Sequence, residues 1–98
     1  MSGETGSDEA MRITFKLFAM LADHLPDEVD GRRRQGNQIE LEVPEGTTVQ
    51  QVVDRFKLPG TLVHLVLVDG RYLDKPARAT RVLADGEALA IWPPIAGG

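Results

Sequence analysis

Apolar and polar residues alternate along residues 11–18 (MRITFKLF): Ile13, Phe15 and Leu17 share one face, and Arg12, Thr14 and Lys16 share the other. A period of two marks a half-buried strand. Phe18 departs from it, because its parity places an aromatic ring on the polar face. Residues 19–25 (AMLADHL) carry a short helical pattern that stops before Pro26, since the residue ahead of a proline is pushed out of the helical region. Alternation returns at residues 38–43 (QIELEV), with Ile39, Leu41 and Val43 inward and Glu40 and Glu42 outward. Too much chain separates these two strands for a tight hairpin, although they can still pair. The stretch between them, residues 27–37 (DEVDGRRRQGN), reads as a charged, solvated loop holding Arg32, Arg33 and Arg34. Contact with an anionic partner is its alternative role.

After the turn at Pro44-Glu45-Gly46, Thr48 and Gln51 stand three apart, as a capping box requires. Val49, Val52, Val53 and Phe56 follow at i, i+3, i+4 and i+7, an apolar stripe along one helix that must lie on a sheet. Leu58-Pro59-Gly60 ends it. Residues 63–68 (VHLVLV) predict a strand apolar on both faces from Leu65 onward, the habit of a central strand. Asp69-Gly70 turns the chain into a short return strand at Arg71-Tyr72-Leu73. Residues 74–81 look irregular, Val82 and Leu83 are expected to pack inward, and Asp85-Gly86 is a further turn. The last strand is residues 87–92 (EALAIW), with Leu89 and Ile91 on one face and Ala88, Ala90 and Trp92 on the other. One good helix and four or five short strands make an α+β fold, a mixed sheet with the helix packed across one face.

If that helix covers Phe15, Leu17, Leu89 and Ile91, then Phe18 and Trp92 point away from it. Leu65 and Leu67, or else Val66 and Val68, must do the same. These residues predict an uncovered apolar patch, the kind of surface that marks a protein interface. Tyr72 would extend it.

The tail changes the picture more than the composition does. After Trp92 come Pro93-Pro94-Ile95-Ala96-Gly97-Gly98. The prolines lack the N–H that a ladder needs, and glycine has the most freedom to lose on folding. Residues 93–98 are therefore expected to leave the body as a flexible arm. Its six residues reach roughly 20 Å at about 3.3 Å each. The distinctive group such an arm can offer is the Gly98 carboxylate. Residues 1–10 are polar and acidic and are expected to be disordered, which leaves residues 11–92 as the folded domain. They lack the apolar core of a secretory signal, and a cytoplasmic location is expected.

There are no cysteines, so disulfides, thiolate metal sites and a cysteine nucleophile are excluded. The net charge is −4, and three of the 15 acidic residues (Glu4, Asp8 and Glu9) lie in the N-terminal stretch. What remains is nearly neutral and lacks the basic balance of a nucleic-acid binder. His24 and His64 have no ligand spacing, so no metal is expected. No apolar run is long enough to span a membrane.

The ending IWPPIAGG resembles that of the MoaD/ThiS-type ubiquitin-like sulfur carriers, and most of all the small subunit of molybdopterin synthase. KLFAMLAD, EGTTVQQVVDRF, LVLVDGRYL and TRVLADGEALAI are similar to that family's first strand, main helix and closing strands. The resemblance covers residues 11–98 and implies a β-grasp fold. It also implies a carrier with no catalytic site and no bound cofactor of its own. An E1-like enzyme using ATP and Mg would adenylate Gly98, and a sulfur donor would convert the adenylate to a thiocarboxylate. The tail would insert into the large catalytic subunit of molybdopterin synthase and give its sulfur to a cyclic pterin precursor, unless another sulfur acceptor takes it. By the same resemblance Gly97 lets the backbone approach the nucleotide, Pro93, Pro94, Ile95 and Ala96 thread a partner's channel, and Phe18, Tyr72 and Trp92 form the partner surface. Two alternatives share the activated carboxyl. One is sulfur transfer for thiazole or amino-acid synthesis. The other is attachment to protein lysines, with Lys16, Lys57 and Lys75 as self-acceptors.

Overall fold

The computed structural model describes residues 10–94. Strand β1 (Ala10–Leu17) runs through the sheet, and its buried positions are Ile13, Phe15 and Leu17, as the alternation requires. A 3-10 helix, Ala19–His24, follows, and Leu21 anchors it in the core. β2 (Glu28–Val29) and β3 (Arg32–Arg33) form a small hairpin of their own. β4 (Gln38–Pro44) buries Ile39, Leu41 and Val43 and pairs antiparallel with β1 over its whole length. Next comes helix α1 (Val49–Arg55), then β5 (Leu65–Val68), β6 (Arg71–Tyr72) and β7 (Ala88–Trp92).

The five main strands stand in the order β4-β1-β7-β5-β6, with β1 and β7 parallel and every other neighbour antiparallel. α1 lies across one face. Its start is fixed by the capping box: Thr48 Oγ1 accepts from Gln51 N–H at 3.2 Å, and Gln51 Oε1 accepts from Thr48 N–H at 2.9 Å. Two otherwise orphaned donors are satisfied, an arrangement worth about 1 kcal/mol. Val49, Val52 and Val53 are buried beneath the helix, and the Phe56 ring stacks on Phe15 at 5.0 Å. With Leu89, Ile91, Val66 and Val68 they form one continuous core between helix and sheet.

Several expectations change. Ala10, expected to belong to the N-terminal stretch, is in β1, opposite Pro44. The stretch 27–37 is not a free loop. Asp30 and Gly31 both have positive φ, 52° and 82°, the pair that a tight two-residue hairpin turn demands. Two of its three arginines are tied to the body. Arg32 reaches Glu42 at 3.3 Å and Glu40 at 3.6 Å, while Arg34 donates to the carbonyls of Ala22 and Leu25 at 3.0 and 2.7 Å. Asp30 meets Arg55 of α1 at 3.0 Å. The hairpin thus lies beside β4, the edge of the sheet, and shields it. β5 begins at Leu65 rather than at 63, after a 3-10 turn, Gly60–Leu62. Its outer face is left open, unlike that of a central strand covered on both sides. Residues 74–81 contain another 3-10 turn, Pro76–Ala79. Leu83 is buried, but Val82 is 47% exposed: the segment is extended where it bridges Thr48, so successive side chains point to opposite sides and only Leu83 faces the core.

Candidate functional site

The face of the sheet opposite α1 has no covering layer among the described residues. The strand register places its side chains in rows. Lys16 of β1 pairs with Ala90 of β7, Ala90 with Leu67 of β5, and Leu67 with Tyr72 of β6. One step along, Trp92 pairs with Leu65. Leu65 and Leu67 therefore face outward, while Val66 and Val68 face the core. Tyr72, expected to extend the patch, lies on the same outer face and is 61% exposed.

Phe18 sits just past β1, and its ring stacks on Trp92 with centroids 4.1 Å apart and planes 2° from parallel. Ala19, at φ 54°, makes the turn that follows it, an unfavourable conformation for a residue with a Cβ. The two rings are half-buried against each other and against the sheet. Phe18, Leu65, Leu67, Ala90 and Trp92 thus form one apolar patch, with Tyr72 at its edge. The other half of the same face is polar: Thr14, Gln38, Glu40 and Glu42, with Arg32 laid over the two glutamates.

The patch is held by the turns around β7. Asp69 Oδ1 accepts from Ala88 N–H at 2.8 Å, and Asp69 N–H donates to Ala88 O at 2.8 Å. Glu87 accepts from Ala84 N–H and from Arg81, both at 2.7 Å. Burial works to raise the Glu87 pKa. The Arg81 hydrogen bond, the Ala84 N–H and the Arg81 charge outweigh it and hold the carboxyl below its ordinary value.

β7 ends at Trp92, where the chain leaves the sheet. Phe18 N–H donates to Ile91 O at 3.1 Å on one side, and His64 N–H donates to Trp92 O at 3.1 Å on the other. Just beyond it, Pro93 is buried and Pro94 is exposed. Ile95, Ala96, Gly97 and Gly98 lie outside the described residues, as does the expected tail before Ala10. Sequence reasoning missed two groups at this exit: the backbone of His64 and the side chain of Arg78, which donates to Val63 O and His64 O at 3.3 and 3.1 Å. Nothing in the pattern of residues 74–81 marks that arginine as buried. His24 and His64 are exposed, and among the described residues no group of three potential metal ligands comes together. Nor is any described helix long and apolar enough to cross a membrane.

Residues 29–98 match the family model described as the ThiS family. No curated protein sequence matches the chain. Among solved structures, the solution structure of the Haloferax volcanii HVO 2177 protein superposes with a TM-score of 0.69 at 23% identity, over 92% of this chain and 89% of that one. The crystal structure of SAMP1 from Haloferax volcanii gives 0.59 at 21% identity, over 89% and 99%. A Pyrococcus furiosus protein described as a candidate molybdopterin converting factor, subunit 1, gives 0.56 at 22%, over 87% and 99%. The fold shared with these neighbours is the ubiquitin-like β-grasp.

Proposed function

This chain belongs to the ThiS family of small ubiquitin-like carriers, and from that premise we propose that it carries activated sulfur on the carboxylate of Gly98. The observation that carries the reading is where the chain leaves the sheet. An uncovered apolar patch surrounds Trp92, and Pro93-Pro94-Ile95-Ala96-Gly97-Gly98 follows at once, inside the span matched by the family model. A partner docked on Phe18, Leu67, Tyr72 and Trp92 would hold the last residues within reach of its own active site.

The chemistry needs nothing from this chain except its terminal carboxyl and a backbone thin enough to enter a catalytic channel. An E1-like enzyme with Mg and ATP would convert the Gly98 carboxylate to an acyl-adenylate, releasing pyrophosphate. Hydrosulfide, or a persulfide whose S–S bond a thiol then cleaves, would displace AMP and leave a thiocarboxylate. That sulfur is nucleophilic at neutral pH without a cysteine, and the sequence has none. Gly97, having no Cβ, permits close approach to the nucleotide. Pro93 and Pro94 lower the ordering cost of insertion by stiffening the first steps. The chain is co-substrate and carrier in this scheme, and the catalytic groups belong to its partners. The Pro-Pro-Ile-Ala-Gly-Gly ending favours molybdopterin synthesis as the destination, with the chain as the small subunit of the synthase, its tail inserted into a cytoplasmic large subunit, and a cyclic pterin precursor held there as the sulfur acceptor.

Intact mass after incubation with Mg-ATP, an E1-like adenylating enzyme and a sulfide source tests this. The expected result is a gain equal to one oxygen-to-sulfur exchange, localised to Gly98. A chain that is adenylated but never takes sulfur, and instead forms amide adducts with protein lysines, would replace the carrier reading with that of a modifier. Absence of both products across several activating enzymes would remove the tail from the chemistry.

A further inference from the structure

Arg78 is 6% exposed, and among the described residues it has no carboxylate partner. Its Nε is buried without any hydrogen-bond partner. A buried guanidinium without a counter-ion is unfavourable unless hydrogen bonds offset it, and an apolar side chain of similar volume would serve packing alone without that cost. Packing therefore does not account for an arginine here. What an apolar side chain could not do is donate to two successive carbonyls, Val63 O and His64 O.

Those carbonyls flank the exit of the chain. Val63 O and His64 N–H belong to the same peptide unit, and in a trans peptide they point in opposite directions. Arg78 donates to one end of that unit, and its other end donates to Trp92 O at 3.1 Å. A cation on the carbonyl polarises the peptide and strengthens the bond made by its N–H. Trp92 O is the last acceptor of the β5–β7 ladder, because Pro93 has no N–H with which to continue it. The second Arg78 bond, to His64 O, fixes the following peptide as β5 begins.

We propose that Arg78 is a positioning residue for the exit of the tail. Acting through the Val63–His64 peptide, its guanidinium fixes the Trp92 carbonyl and so sets the direction in which the chain leaves the sheet at Pro93-Pro94. The consequence for chemistry rests on the carrier reading above. An activating enzyme would meet a chain whose departure at Pro93-Pro94 is already set, and the setting comes from the side of the molecule away from Phe18.

The test uses the full-length chain with Arg78→Met, which keeps volume and removes the donors, and Arg78→Lys, which keeps a charge and a donor. Amide hydrogen exchange reads the structural step. In Arg78→Met, the His64 amide is expected to exchange about tenfold faster while amides of β1 and β4 keep their rates. Adenylation by the E1-like enzyme reads the functional step. A fall in kcat of about tenfold with KM within about twofold is expected, since docking on the patch is intact and only the aim is lost. Arg78→Lys should recover part of both effects, and it carries both measurements if Arg78→Met does not fold. Unchanged His64 exchange and unchanged kcat in a folded variant would overturn the proposal, as would a uniform acceleration of every amide, which would make the role purely structural. If the wild-type chain is never adenylated, the carrier reading fails while the exchange measurement still decides whether Arg78 holds Trp92.

Discussion

The two faces of the five-stranded sheet are built from alternate residues of the same strands, yet they are finished differently. On the helix side, Ile13, Phe15, Leu17, Leu89, Ile91, Val66 and Val68 are each 2% exposed or less. On the other side, Phe18, Leu65, Leu67, Ala90 and Trp92 are just as apolar as a group but only half covered, and Tyr72 is open. One face has used its apolar surface to fold the protein. The other holds apolar surface in reserve, with an aromatic stack where the chain departs. The comparison predicts that substitutions one residue apart in a strand should fail in different assays.

The largest effect is expected on the covered face. Phe15→Ala leaves a cavity beneath Phe56 and should cost about 3–5 kcal/mol of folding stability, enough to unfold much of the population at moderate temperature; denaturant titration reads it. A cost below about 1 kcal/mol would erase the distinction between the faces. Trp92→Ala, on the open face, should weaken affinity for the activating enzyme or the acceptor by about 1–3 kcal/mol. Its folding cost should stay near the roughly 1 kcal/mol of a lost aromatic stack. Calorimetry with the partner and a melting curve together separate the two terms, and an unchanged affinity would take Trp92 out of the interface.

Glu87→Gln sharpens the comparison at the point where β7 serves both faces. Removing the carboxylate that accepts from Arg81 and Ala84 should cost about 1 kcal/mol. The pH dependence has a definite sign. The folded-state pKa lies below the ordinary 4.5, so the contribution is full above about pH 4.5 and fades as pH falls through the lower folded value. Wild type and Glu87→Gln should therefore converge in stability in acid and diverge near neutrality. The smallest effect belongs to Tyr72→Ala, at the exposed rim of the patch. It should lose under about 1 kcal/mol of partner affinity and leave stability within about 0.5 kcal/mol.

Much of the covered face was legible in the sequence, because burial on one side of a strand imposes a period of two and burial under a helix imposes 3.6. Both periods stand in residues 11–18, 38–43 and 49–56. The outer face was legible only by subtraction, as apolar residues of the wrong parity at 18 and 92. The choice between Leu65-Leu67 and Val66-Val68 was not, since a strand apolar on both sides carries no phase. The hairpin β2–β3 had a signal that went unused: Asp30-Gly31 is the same dipeptide as Asp69-Gly70, and both take the same pair of positive φ values. Flanking charges, in place of alternating apolar residues, hid it. Arg78 had no signal at all. An arginine two residues after a proline, in an irregular stretch, reads as surface, and its burial follows from where the Val63–His64 peptide passes, which is set by contacts distant in sequence.

The parallel pairing of β1 with β7 has a consequence for how the molecule is made. Thr14 meets Ala88 and Leu17 meets Ile91, so the middle of the sheet joins the first strand of the body to the last. Closing such a distant pairing is slow, and its entropy must be spent before the contacts can reward it. Until β7 has been synthesised, β1 and β5 have no neighbour between them, and neither the core nor the patch is complete. The residues that would be loaded with sulfur emerge only after β7. A partner that recognises the outer face could then load only chains whose folding has finished, and synthesis itself would serve as the inspection step.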